Sequence, residues 1–166
     1  MKDLLTFFAR TSEKDWFKYG LASSVFAFLV GLYGYTVSIA AEHICFFVPA
    51  PIAAFFVSGL MWQWTFKKKD DYKVGNVISV GLIGIPIIHY LTFVLMGLGR
   101  IICYYLTGNC TDYTGKPDNI LYVMSISIIQ SLISIYKLGI ITLPSGILIG
   151  LFIMKKSKFT NKEIKT

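Results

Sequence analysis

Long apolar stretches separated by short polar segments run through most of this chain. Three of them, Tyr19–Ala41, Ile44–Phe66 and Val74–Gly99, each reach the roughly 20 residues that a helix needs to cross a hydrocarbon core. A fourth and longer stretch covers Ile120–Met154. Because backbone polar groups cannot remain unpaired in lipid, such stretches form helices. The pattern therefore predicts an all-α integral membrane protein, built as a bundle of four transmembrane helices.

The third and fourth apolar segments are longer than a simple span. Counted from Val74 to Leu106 and from Ile120 to Met154, they contain 33 and 35 residues, or about 50 Å each as helices. We therefore expect helices 3 and 4 to extend beyond the outer face of the membrane, in a polar and aromatic hairpin. A rival interpretation divides the fourth segment at Lys137 into a re-entrant piece and a short span.

These patterns divide the chain into three parts. The first is an amphipathic or interfacial segment, and the last is a basic tail. The membrane domain lies between them and includes an outer hairpin. In residue numbers, the parts are 1–18, 19–154 (spans about 19–41, 44–66, 74–99 and 132–154, hairpin 100–131) and 155–166.

The second stretch contains residues that modify a simple helix. Pro49 and Pro51 each lack a backbone N–H and disfavour helix at the preceding residue, so we expect a kink or a late helix start. Trp62 and Trp64 near its end are typical of residues that anchor a span at the membrane interface.

Charge placement predicts how the bundle is oriented. The chain has 166 residues, 55% of them hydrophobic, and a net charge of +7. Thirteen of its 16 Lys and Arg residues lie before the first stretch, between the second and third, or after the fourth. Basic residues that flank spans are retained on the cytoplasmic side and also attract anionic lipids. We therefore predict a bacterial inner-membrane protein with both termini in the cytoplasm, and the lipid bilayer rather than nucleic acid as its partner.

Few side chains in the predicted spans could carry chemistry. His89 is the only ionisable residue near the middle of a span, and no acidic residue or second histidine is placed to assist it. This favours a neutral His89 that hydrogen-bonds a neighbouring helix over proton transfer or metal binding. Cys103 and Cys110 are close enough in sequence for a loop disulfide. The absence of a CxxC pair argues against a thiol oxidoreductase.

Two further sets of residues are candidates for contacts. Small residues at Gly81, Gly84, Gly146 and Gly150 allow close helix approach, with packing inside the bundle as the default and docking of a foreign helix as the alternative. The second set surrounds the outer loop and is either an interfacial belt or a surface that holds a partner. It consists of Arg100, Tyr104, Tyr105, Tyr113 and Tyr122.

No catalytic, cofactor-binding or metal-binding motif is present, so the sequence favours a protein that is not an enzyme and has no cofactor. It predicts binding of another membrane protein or of a membrane-inserting toxin. A small transporter, a channel or an accessory subunit of a membrane complex is the alternative. A thiol-redox or lipid enzyme is the third class.

Within the first class, the layout resembles that of immunity proteins against pore-forming colicins of the A and B type. Those are also small four-span inner-membrane proteins with both termini inside. The shared residues are Ala50-Pro51 early in span two, Thr65-Phe66-Lys67 at its end, and Leu106-Thr107 followed by Gly108. The resemblance implies interception of a toxin's apolar hairpin within the membrane. A factor that excludes incoming genetic elements would have the same layout.

Overall fold

The computed structural model describes residues 14–37, 47–66, 73–110 and 119–163, and all the regular structure in these ranges is helical. The elements are α1 (Asp15–Val37), α2 (Pro49–Thr65), α3 (Val74–Thr107) and α4 (Ile120–Glu163). The predicted all-α chain of four helices is therefore confirmed. Most of the predicted interfacial segment, residues 1–13, lies outside the described residues.

Three of the helices are long and apolar enough to cross a membrane. The candidate spans are Asp15–Tyr33, Val74–Thr107 and Ile120–Lys156. Helix α2 has 17 residues, which corresponds to about 26 Å. It begins at Pro49 rather than at Ile44, because proline is accommodated in the first turn, where its missing N–H needs no partner. The expected late start of the second helix is thus confirmed.

The two long helices have well-defined ends at the loop between them. Gly108 adopts φ 71° and its N–H donates to Tyr104 O at 2.8 Å, which closes α3. Asn119 caps α4, since its Oδ1 accepts from the Leu121 N–H at 2.9 Å. Helix α4 then continues without interruption to Glu163. The structure therefore has one continuous helix where the rival interpretation divides the chain at Lys137.

The helices form an antiparallel ring, in which α1 packs on α2, α2 on α3, α3 on α4 and α4 on α1. One end of the ring holds a dense core built from the start of α1, the end of α2, the start of α3 and the end of α4. We call this the basic end because Lys18, Lys73 and Lys155 lie beside it. Its core consists of Tyr19, Trp62, Phe66, Val77, Val80, Ile153 and Met154.

Trp62 belongs to this core and not to a membrane interface. It is 1% exposed, and its ring lies 4.7 Å from Tyr19 and 4.4 Å from Phe66 between centroids. Trp64, two residues on, is 71% exposed. The predicted anchoring role therefore fits Trp64 and is wrong for Trp62, because a helix turns these two positions to different faces.

At the other end of the bundle, α3 and α4 form the distal hairpin, by which we mean residues 100–110 and 119–131. It is the described part of the predicted outer hairpin. The predicted tail over residues 155–166 begins inside α4, since regular helix continues through Glu163.

Candidate functional site

The His89 side chain joins α3 to α4. Its Nδ1 lies 2.8 Å from Ser134 Oγ, its Nε2 lies 3.3 Å from Thr142 Oγ1, and the residue is 9% exposed. The Thr142 hydroxyl donates its proton to Leu138 O at 3.1 Å. Thr142 therefore accepts from Nε2–H, and Ser134 donates to Nδ1. This arrangement holds a neutral imidazole between two hydroxyl groups.

The contact between Ser134 and His89 has the geometry of a nucleophile beside a general base. Sequence reasoning missed this pair, because 45 residues separate its members and the register of the two helices brings them together. The other ring nitrogen faces the hydroxyl of Thr142. A carboxylate at that position would stabilise a charged ring, whereas a neutral hydroxyl does not. Among the residues that the structure describes, no cluster of three His, Cys, Asp or Glu side chains could hold a metal ion.

A cavity of about 450 Å³ lies between the four helices and includes this cluster in its wall. Sites for small molecules typically measure roughly 300–1,000 Å³. The wall is mainly apolar. Its polar members include Ser23, His89, Gln130, Ser134, Lys137 and Thr142. No hydropathy pattern could have revealed this cavity, since it depends on how four helices are spaced.

The predicted packing glycines lie at helix contacts inside the bundle. A Cβ atom added to Gly81, Gly146 or Gly150 would lie within 2.8 Å of a side chain on the facing helix. Those side chains belong to Ile147, Ile85 and Val77. Gly84 differs, since its Cβ would meet only Met61 Cγ at 3.9 Å, and the residue lines the cavity. Gly146 and Gly150, which form a GxxxG pair, are thus occupied by contacts within this chain.

The residues predicted to hold a partner are distributed along the distal hairpin. Gly97 packs against Val123, which places Tyr122 at that level and Tyr104 about 10 Å further along α3. The Tyr104 and Tyr105 rings meet edge to face, with centroids 5.4 Å apart. The remaining candidates are Arg100, which is exposed, and Tyr113, which lies outside the described residues.

At the tip of the distal hairpin, Cys103 and Cys110 are joined by a disulfide with their Cα atoms 6.0 Å apart. The Thr107 hydroxyl donates to Cys103 O at 2.8 Å within the same turn. The bond closes a short loop directly after α3, and the third cysteine, Cys45, lies outside the described residues. This arrangement restricts the conformation of the chain where α3 ends.

The distal hairpin is less polar on its surface than its sequence suggests. Ser127 and Ser131 are 1% and 6% exposed, and their hydroxyls donate to backbone carbonyls of their own helix at 2.7 and 2.8 Å. Positions four apart share one helix face, and this face is turned inward. Ser127 and Ser131 are therefore buried inside the bundle, whereas Ser125 and Gln130 are exposed. The exposed apolar residues are Ile102, Tyr105, Leu106, Ile120, Leu121, Tyr122, Met124, Ile128 and Ile129.

Comparison of the chain with protein-family models, curated proteins and solved structures finds no match.

Proposed function

We propose that this protein crosses the bacterial inner membrane with all four helices and acts by binding another membrane component. The start of α1 and the end of α4 share the basic end of the bundle, as an even number of crossings requires. Its lysines favour the cytoplasmic side for this end. Helix α2 is only a few ångströms shorter than a hydrocarbon core of about 30 Å, a mismatch that costs fractions of a kcal/mol per ångström.

The observation that carries the proposal is the exposed apolar surface of the distal hairpin. Leu121, Ile128 and Ile129 on α4 are 69%, 54% and 55% exposed. Positions 121, 125, 128 and 129 recur at helical spacing, so Leu121, Ile128 and Ile129 lie on one strip of α4, with the small polar Ser125 between them. Exposed apolar patches of this kind mark sites of contact with proteins or membranes.

The partner that fits such a strip is another apolar helix at the outer face of the bilayer, where the distal hairpin extends past the hydrocarbon core. A pore-forming bacteriocin inserts segments of this kind, and so does the membrane machinery that imports foreign DNA. The role we propose is therefore immunity or exclusion, exerted by helix contacts that need no chemical step. Helix association in lipid depends on close van der Waals packing and on interhelical hydrogen bonds.

The test is a challenge of sensitive cells that express the chain with a panel of pore-forming bacteriocins and phages. A triple variant, Leu121→Ala with Ile128→Ala and Ile129→Ala, removes the strip. Its control truncates three residues of α4 nearer the basic end, which are on average more exposed still. The control substitutions are Ile140→Ala, Leu148→Ala and Phe152→Ala.

We expect the unchanged protein and the control variant to protect, and the strip variant to bind its partner about tenfold more weakly and to lose protection. Membrane abundance of the three proteins is compared by immunoblot. Absence of protection across the whole panel, or equal loss in both triple variants at equal abundance, would contradict the proposal.

The contact between Ser134 and His89 favours a second candidate, an acyl hydrolase acting on lipid esters. In such a reaction Ser134 Oγ would attack the ester carbonyl while His89 Nδ1 takes its proton and passes it to the leaving alcohol. Water would then release the acid and restore the hydroxyl. Labelling by a fluorophosphonate probe that disappears in Ser134→Ala would support this candidate, and an unlabelled protein would count against it.

A further inference from the structure

We propose that the central cavity binds one amphiphile that has an extended hydrocarbon chain and an anionic head group, with the head group at Lys137. This inference is independent of the proposed partner and of any hydrolysis. It rests on the extent of the cavity, on a buried hydroxyl group in its wall that has no hydrogen-bond partner among the described residues, and on the position of one cation.

The cavity is long and narrow. Its wall extends along α4 from Ile149 to Gln130, which corresponds to about 28 Å of helix. A volume of about 450 Å³ spread over that length fits an extended chain better than a compact molecule. Most of the wall is apolar, with residues such as Phe26, Val30 and Ile88, so burial of a hydrocarbon chain satisfies it.

Lys137 lacks a counter-ion within the described part of the chain. It lines the cavity, and Asp15, the one acidic residue whose side chain the structure describes, belongs to the opposite, basic end. Asp15 pairs there with Lys18 at 3.8 Å. A cation close to a membrane interior is costly unless an anion or water accompanies it. The chemistry of Lys137 therefore calls for a negatively charged ligand group.

The depth of Lys137 suits a lipid head group. It precedes Met154, in the core of the basic end, by 17 residues, or about 26 Å of helix. If the basic end lies at one face of a hydrocarbon core of about 30 Å, Lys137 lies near the other face. An anionic head group at that level would place its chain in the cavity, parallel to the helices.

One neutral polar group in the wall also indicates a ligand. Ser23 is 7% exposed, and its Oγ has no hydrogen-bond partner among the described residues. A buried polar atom without a partner costs free energy, so native structures usually satisfy it with a ligand or with water.

The test uses the full-length protein, purified in a neutral detergent and examined by native mass spectrometry. Three probes are added separately: phosphatidylglycerol, phosphatidylcholine with the same acyl chains, and palmitate. We expect one bound molecule per protein with an anionic probe and much less retention of phosphatidylcholine. If phosphatidylglycerol is retained better than palmitate, the natural ligand is a phospholipid. If palmitate is retained better, the ligand is a free fatty acid.

Two variants assign the site. Lys137→Gln removes the charge, and we expect roughly tenfold weaker retention of the anionic probe, while Lys155→Gln at the basic end leaves it unchanged. Gly84→Leu fills the cavity, where the backbone has room for a side chain, and we expect it to abolish retention. Its control is Gly99→Leu, where an added Cβ has no neighbour within 4 Å.

Thermal unfolding of each variant establishes that it is folded before its binding is interpreted. Retention of several lipids irrespective of head group would overturn the inference. The inference would also be overturned if Lys137→Gln and Lys155→Gln reduced lipid retention equally, or if folded Gly84→Leu protein still retained the lipid.

Discussion

Substitution of Gly150 by alanine tests whether the GxxxG face is closed by this chain or open to another helix. The new Cβ would lie 2.7 Å from Val77 Cγ1, and 3.4 Å from both Trp62 Cζ3 and Tyr19 Cε2. Val77 and Trp62 are 0% and 1% exposed, so neither side chain has open space into which to move. Overpacking of a dense core costs about 1–3 kcal/mol.

The matched control is Gly99→Ala on α3, where an added Cβ has no neighbour within 4 Å. Both substitutions gain the same helix propensity, up to about 1 kcal/mol. The difference between the two variants therefore isolates the overpacking. We expect Gly150→Ala to be about 1–3 kcal/mol less stable than Gly99→Ala.

The measurement is reversible unfolding in mixed micelles of rising dodecyl sulfate content, followed by circular dichroism. Equal free energies of unfolding for the two variants would refute the packing argument. They would mean that the face containing Gly146 and Gly150 is not closed by α3, and it would again be a candidate for docking a foreign helix.

Three further predictions concern the hydrogen bonds and the cross-link. We expect His89→Leu to lower the free energy of unfolding by about 1–2 kcal/mol, and a double-mutant cycle with Ser134→Ala to be non-additive; strictly additive effects would contradict the interhelical bond. Reduction of the disulfide between Cys103 and Cys110 should lower the free energy of unfolding by about 2 kcal/mol. The effect is at the low end of the usual range because the closed loop is short. A Cys103→Ser variant should be insensitive to reductant in the same titration, and an identical response of both proteins would count against the disulfide. Asn119→Ala should cost about 1 kcal/mol and speed amide exchange in the first turn of α4; unchanged exchange would show that the cap is dispensable.

The sequence was sufficient to predict features that depend on single segments. Apolar runs of more than thirty residues predict long helices, and α3 and α4 have 34 and 44 residues. Pro49 predicts the late start of α2, because proline constrains its own turn wherever the chain lies. The Asn119 cap of α4 is likewise a local feature, because its side chain accepts from an N–H of the first turn.

Features that depend on the register between helices could not be predicted in this way. The sequence indicates that His89 needs a partner, but it cannot select Ser134 and Thr142 from the many hydroxyls on other helices. Trp62 is misplaced for the same reason, and the burial of Ser127 and Ser131 also depends on the register between helices. Tryptophan is typical of interfaces and serine of polar surfaces, whereas the face that each residue presents depends on its neighbours. The cavity is a property of all four helices together.

The construction of the basic end also has a consequence for the order of events during translation. Tyr19 is synthesised well before Gly146, yet its hydroxyl donates to the carbonyl oxygen of that residue, 127 positions later, at 3.2 Å. Ile153 and Met154 complete the same cluster later still. Until α4 has been synthesised, the first helices enter the insertion machinery while the core of the basic end is incomplete and exposed. A nascent chain stalled before Gly146 would therefore expose this incomplete core to chaperones and membrane proteases. It would be degraded faster than a chain that contains all of α4.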